Sequence, residues 1–113
     1  MAYVYCVTNK LSGKQYVGKT YRDINTRFKE HVGDSRSKSR KKDRPLARAI
    51  KKYGEDAFIV SLLDEGTLEE MTKREVYWIA YLGTYENGYN ATTGGDGKPY
   101  IDHDLVISLY TDE

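Results

Sequence analysis

The chain has little cysteine and proline: one Cys and two Pro among 113 residues. A single thiol excludes an intrachain disulfide framework and a cysteine-built zinc cluster, and it points to a reducing, intracellular setting. That thiol, Cys6, stands in a β-branched and aromatic run and reads as a small buried strand residue. No apolar stretch is long enough to span a bilayer, and the N-terminal stretch does not read as a signal peptide. Net charge is scarce too, at +1, yet 31% of the residues are charged and 39% hydrophobic. That balance is globular, and the length fits one domain around one modest core.

The small net charge hides an asymmetry. Residues 1–52 carry fifteen Lys/Arg against four Asp/Glu, and residues 53–113 carry three against thirteen. A basic half suits a polyanion, and nucleic acid is the obvious class. The densest part is 35–52, SRSKSRKKDRPLARAIKK, with nine basic residues and one acid. A solvated face balancing the acidic half is the plainer reading of the same run.

Residues 2–7, AYVYCV, and 14–19, KQYVGK, read as strands joined by a polar hairpin segment. Pairing Val7 with Lys14 sets Tyr5 directly opposite Tyr16 on one side of the sheet. From Asp23 to Val32 the apolar spacing Ile24, Phe28, Val32 is helical, and residues 33–42 read as a polar loop. Pro45 suits the first turn of a helix running to Tyr53 and stopped by Gly54. AFIVSLL, 57–63, is a third strand. Thr67 and Glu70 form a capping-box signature for a helix from Leu68 to Leu82, stopped by Gly83. The order ββααβα predicts an α+β fold, a small antiparallel three-stranded sheet flanked by helices.

The segment 13–20, GKQYVGKT, fits the phosphate-loop pattern G-x-x-x-x-G-K-[ST]. Such a loop needs flexible residues whose N–H groups wrap an anion, between a strand and a helix. Here the variable positions, Lys-Gln-Tyr-Val, read as strand, so the match is accidental.

Other residues carry more chemistry. On the third helix Leu68, Met71, Trp78, Ile79 and Leu82 share one face, with Glu75 near its middle. A carboxylate there is paired with a cation, binds a metal, or lines a cleft. Arg27 and His31 stand one turn apart, bordering the Ile24/Phe28/Val32 stripe. Alone, they read as a snorkelling arginine and a hydrogen-bonded histidine. Together with two facing tyrosines and Glu75 they suit a phosphodiester: a metal and a guanidinium offset phosphorane charge while the others handle protons. Tyr77, Tyr81 and Tyr85 read as covering core edges; Tyr21, Tyr53 and Tyr89 pack locally or stack on bases.

In order and spacing, Tyr3-Val4-Tyr5, Tyr16-Val17-Gly18, Arg27 with His31, Glu75, and Asn87-Gly88-Tyr89-Asn90 resemble the GIY-YIG endonuclease superfamily, in its phage and intron homing-endonuclease branch. Tyr3 stands where the first motif names Gly, and Val replaces Ile in both short motifs. The resemblance implies a Mg²⁺-dependent DNA endonuclease, with Mn²⁺ as a substitute ion and double-stranded DNA as partner. Glu75 would bind the single metal and Arg27 would contact the scissile phosphate. Tyr5 and Tyr16 would orient or deprotonate the attacking water, His31 would assist proton transfer or hold a phosphate oxygen, and Asn90 would brace the site. Basic residues Lys14, Lys19, Arg36, Lys38, Arg40, Lys41, Lys42, Arg44 and Arg48 are the expected DNA contacts, supplying affinity and salt dependence. Residues 1–95 would be the nuclease domain, and 96–113 a linker or the start of a truncated C-terminal DNA-binding region. The alternatives are a repair-type or structure-specific nuclease and a non-cleaving nucleic-acid-binding module.

Overall fold

A computed structural model of the chain describes residues 1–39, 42 and 44–94. The expected contacts Arg40 and Lys41 and the segment 96–113 lie outside the described residues. Three strands, β1 (Ala2–Asn9), β2 (Gln15–Thr20) and β3 (Phe58–Gly66), form an antiparallel sheet in the order β2-β1-β3. Helices α1 (Ile24–Arg36) and α2 (Pro45–Tyr53) separate β2 from β3, and α3 (Leu68–Leu82) follows the sheet. The predicted ββααβα fold is therefore the observed one. It gains a 3-10 turn at Glu55–Ala57 and a short helix, α4 (Thr84–Asn87).

The hairpin register differs from the expected one. Val7 pairs with Tyr16, not Lys14, and Tyr5 pairs with Gly18. Asn9 causes the shift: its Oδ1 accepts from the N–H groups of Leu11 (2.9 Å) and Ser12 (3.3 Å). The ladder thus runs on to Asn9, whose N–H donates to Lys14 O at 2.9 Å, and Gly13 closes the turn with φ +78°. A shift of two residues keeps every side chain on its face. Tyr5 and Tyr16 are therefore diagonal neighbours on one side of the sheet, with ring centroids 6.2 Å apart.

Local signals set the helix ends. Asp23 Oδ2 accepts from Thr26 N–H and starts α1, which runs one turn beyond the expected end at Val32. Pro45 sits in the first turn of α2 and Gly54, at φ +87°, ends it. Both halves of the Thr67/Glu70 capping box form, and Gly83 closes α3 in the left-handed region.

The sheet is covered on both faces. Tyr5 and Val7 pack with Val32, Leu46, Ile50 and Phe58 under α1 and α2. Ala2, Val4 and Val17 pack with Met71 and Ile79 under α3. Each fully buried valine contributes roughly 1.5–3 kcal/mol by leaving water, so the two clusters fix both helix layers against β1. Leu68, expected on the apolar face of α3, is 41% exposed because it directly follows the cap at the sheet rim. Val76, one turn before Ile79, is buried instead. Tyr81 and Tyr85 stand 69% and 49% exposed instead of covering core edges, whereas Tyr89 packs into the α1/α2 layer.

Candidate active site

The cleft begins at Gly18. It pairs with Tyr5 across the ladder, and a Cβ there would collide with the Tyr5 phenol and with Tyr16 Cε2. The absent side chain is the space in which the Tyr5 ring lies. Tyr5 is fully buried, and its hydroxyl makes a 2.8 Å hydrogen bond with His31 Nε2. Tyr16 is half-buried and meets His31 edge-on at 5.2 Å. Two phenols and an imidazole therefore form one contiguous group between β1, β2 and α1.

His31 lies deeper than a border position, at 7% exposure. Burial, followed by the nearby Arg27 and Arg44 charges, pushes its pKa down to about 3, so the imidazole is neutral at physiological pH. Burial, then the neighbouring Tyr16, raises the Tyr5 phenol and keeps it protonated. Tyr16 is also raised, by burial first and then by the Glu75 carboxylate, while Arg27 and Arg44 pull it back down. Arg27 is held on one side: Glu30 Oε1 lies 3.1 Å from its Nη1, and Arg22 grips the same carboxylate at 2.6 and 2.8 Å.

Glu75 is half-buried on α3, beside buried Met71, Val76 and Ile79. Its charge helps to raise both the Tyr5 and the Tyr16 phenols. Among the described residues no three His, Cys, Asp or Glu side chains gather into a metal cage. One carboxylate beside phenol oxygens fits a hard divalent ion that keeps most of its waters and takes further oxygens from a phosphate. It does not fit a structural zinc site, which needs four protein ligands.

Asn90 holds the edge strand. Its Oδ1 accepts from Val17 N–H at 2.8 Å and its Nδ2 donates to Val17 O at 2.9 Å. Tyr89 N–H donates to Gln15 O at 2.9 Å, and a Cβ on Gly88 would strike that same carbonyl. The 88–90 loop therefore pairs with β2 as a further strand would.

The expected DNA contacts divide. Lys38, Lys42 and Arg48 line one groove of about 510 Å³ with Lys51 and Lys52. Arg36 lies close by and pairs with Glu55 at 3.3 Å. Lys14 is exposed on the hairpin, and Lys19 faces α3, donating to Thr72 Oγ1 at 2.8 Å. Arg44 stands apart from the groove and lines the cleft with Tyr16, Arg27 and His31. Charge counting placed it only in a basic run; its position just before Pro45, at the start of α2, was the signal that could have set it at the cleft. The Glu30 anchor of Arg27 was missed because a lone acid in a basic helix reads as surface charge.

A family model described as the GIY-YIG catalytic domain matches residues 1–90. The chain is 33% identical over 104 residues to Intron-associated endonuclease 1 of Enterobacteria phage T4, covering 90% of this chain and 41% of that protein. It is 31% identical over 111 residues to Putative endonuclease segE of the same phage, covering 95% of this chain and 48% of that one. The chain thus spans less than half the length of these curated relatives. In structure it is similar to the catalytic domain of homing endonuclease I-TevI, with TM-score 0.65 and 30% identity over 81% of this chain and 99% of that one. It is also similar to the E75A mutant of the I-TevI catalytic domain, with TM-score 0.67 and 30% identity over 83% and 97%. Tyr16, Arg27, His31 and Asn90 line one cleft inside the matched residues, and the chain is a member of the GIY-YIG family.

Proposed function

We propose that this chain is the catalytic domain of a Mg²⁺-dependent DNA endonuclease of the homing type. The observation that carries the reading is the convergence of Tyr16, Arg27 and His31 on one cleft within reach of the Glu75 carboxylate. GIY-YIG nucleases are metal-dependent in general, and Glu75 is the residue that would hold the ion. When bound, Mg²⁺, or Mn²⁺ in its place, polarises a phosphate oxygen and acidifies water.

The protein groups divide the remaining work. Arg27 contacts the scissile phosphate and offsets the charge that builds on its oxygens. Tyr16, half-buried on the cleft wall, orients the attacking water through its phenol oxygen, and the proton that water loses passes to bulk solvent. Tyr5 is fully buried and acts through His31 and Tyr16 as a positioning residue. His31, neutral, passes hydrogen bonds between the phenols without adding a charge that would oppose Arg27. Water oxygen bonds to phosphorus, the ester P–O bond breaks, and the departing oxygen takes up a proton from solvent. Residues 1–95 form the nuclease domain in this reading, and 96–113 lead toward a separate DNA-binding module. The chain's spanning only 41% and 48% of its relatives supports that division.

Nicking of supercoiled plasmid tests the assignment. The parent should nick with Mg²⁺ and stop in EDTA, and Glu75→Ala should lose at least about a hundredfold in rate with an unchanged circular dichroism spectrum. A Glu75→Ala variant that nicks at the parental rate overturns the reading. A panel of linear, nicked and branched DNAs separates homing-type from structure-specific cutting. Salt-sensitive binding without product under Mg²⁺ or Mn²⁺ marks a non-cleaving binding module.

A further inference from the structure

The chemistry above uses one guanidinium. A second, Arg44, lines the same cleft and has no assigned work in that chemistry. The cleft encloses a cavity of about 80 Å³ lined by Tyr16, Arg27, His31, Arg44 and Asn90. At ~30 Å³ per water that is room for roughly two or three waters. It suits one tetrahedral oxyanion and excludes a nucleobase.

The charges around the cavity favour an anion. Among the described residues Asp34 is the one carboxylate on its wall, and Lys42 Nζ lies 3.6 Å from Asp34 Oδ1. Arg27 gives one Nη to Glu30 and, with five N–H donors in a fixed fork, keeps others for the cleft. Arg44 is exposed and has no ion-pair partner among the described residues. Its charge reaches both His31 and Tyr16, so it bears on the reacting groups as well as on bulk solvent. A cavity lined by two guanidiniums, one of them with no ion-pair partner among the described residues, suits a bound anion.

We propose that this cavity is a second phosphate subsite, in which Arg44 grips the backbone phosphate next to the one held by Arg27. The identity of the ligand as a DNA phosphate rests on the nuclease reading; its chemistry as an oxyanion does not. Two guanidiniums on successive phosphates fix the strand's register over Tyr16 while contacting nothing that carries sequence. Arg44 is then a substrate-binding residue of the cleft, distinct from the diffuse groove of Lys38, Lys42 and Arg48.

Inorganic phosphate is the probe. It is titrated into isotope-labelled protein in EDTA, against sodium chloride at matched ionic strength, while NMR follows His31 and Ala91, which line the cavity and not the groove. Saturable shifts at both are expected. Arg44→Ala should weaken phosphate binding about tenfold or more, the loss of a charge-assisted hydrogen bond. Arg44→Lys should recover only part, because lysine keeps the charge and loses the fork. Lys73→Ala, exposed on α3 and lining neither cavity nor groove, should leave phosphate affinity unchanged. On duplex DNA, Arg44→Ala should lower the slope of log affinity against log salt by about one. The subsite is overturned if phosphate moves no cavity signal, if Arg44→Ala binds phosphate like the parent, or if Lys73→Ala weakens it equally. None of these measurements needs cleavage, so a protein that fails to nick plasmid sinks the nuclease reading while the phosphate result stands separately.

Discussion

At position 18 the β2 backbone passes beneath the Tyr5 ring, and the missing Cβ is what lets the phenol reach His31. Gly18→Ala should push Tyr5 and Tyr16 apart, costing about 1–3 kcal/mol of stability and about tenfold or more in nicking, read by thermal melting and plasmid assay. His31 yields a prediction with a definite sign. In the unfolded chain an imidazole takes its proton near pH 6.5, whereas in the folded protein it resists protonation down to about pH 3. Between those values the unfolded state binds more protons, so stability is full above pH 6.5 and falls as the pH drops toward 3. The titratable and charged groups around the ring are Tyr5, Tyr16, Arg27, Arg44 and, on the same cavity wall, Asp34. From pH 6.5 to 5, where carboxylates stay ionised, the loss should be on the order of 1–2 kcal/mol, seen as a falling urea midpoint. His31→Gln can still hydrogen-bond Tyr5 but does not titrate, and it should flatten that dependence.

Elements came out of the sequence where a short-range device sets them. The Thr67/Glu70 box, Pro45, Gly54 and Gly83 act within one turn, and all four mark the helix ends found. The hairpin register was off by two because Asn9 builds a side-chain turn that strand propensity does not register. The depth of His31 and the cleft-facing start of α2 were illegible for a different reason: both depend on how α1 and α2 pack over the sheet. The candidate site was legible as a set of residue types, but the division of roles within it came only with burial, which removes Tyr5 from solvent and leaves Tyr16 at the wall. Asn90 shows the limit most clearly, since its amide serves the Val17 backbone on both sides. Asn90→Ala would strand a buried N–H and C=O on β2 and should cost about 2–4 kcal/mol. The Val17 amide should then exchange with solvent far faster than in the parent, and nicking should fall with it. Unchanged Val17 exchange would remove Asn90 from the role of brace.

At the scale of the whole molecule, the charge asymmetry of the sequence becomes a spatial one. The groove between α1 and α2 gathers Lys38, Lys42, Arg48, Lys51 and Lys52, while Glu69, Glu70 and Glu75 belong to α3 on the other side of the sheet. The cleft adjoins the groove and shares Asp34 and Ala47 with it, so DNA lying along the basic groove would bring its backbone to Tyr16 and Arg27. This predicts affinity built from phosphate contacts and not from base readout, because the groove is lined by four lysines and an arginine, and α2 beside it is nine residues long and packs four of them into the core. If about four groove cations each displace a counterion, log affinity should fall against log salt with a slope of roughly −3.6. Between 50 and 200 mM salt that is a loss of about two orders of magnitude. Fluorescence anisotropy on duplexes of unrelated sequence should give the same curve for each. Arg48→Ala should flatten the curve by about one, whereas Lys19→Ala, whose ammonium is turned to Thr72 beneath α3, should leave it unchanged. A curve that is flat in salt, or that separates strongly by sequence, would mean that the recognition surface lies elsewhere than on this groove.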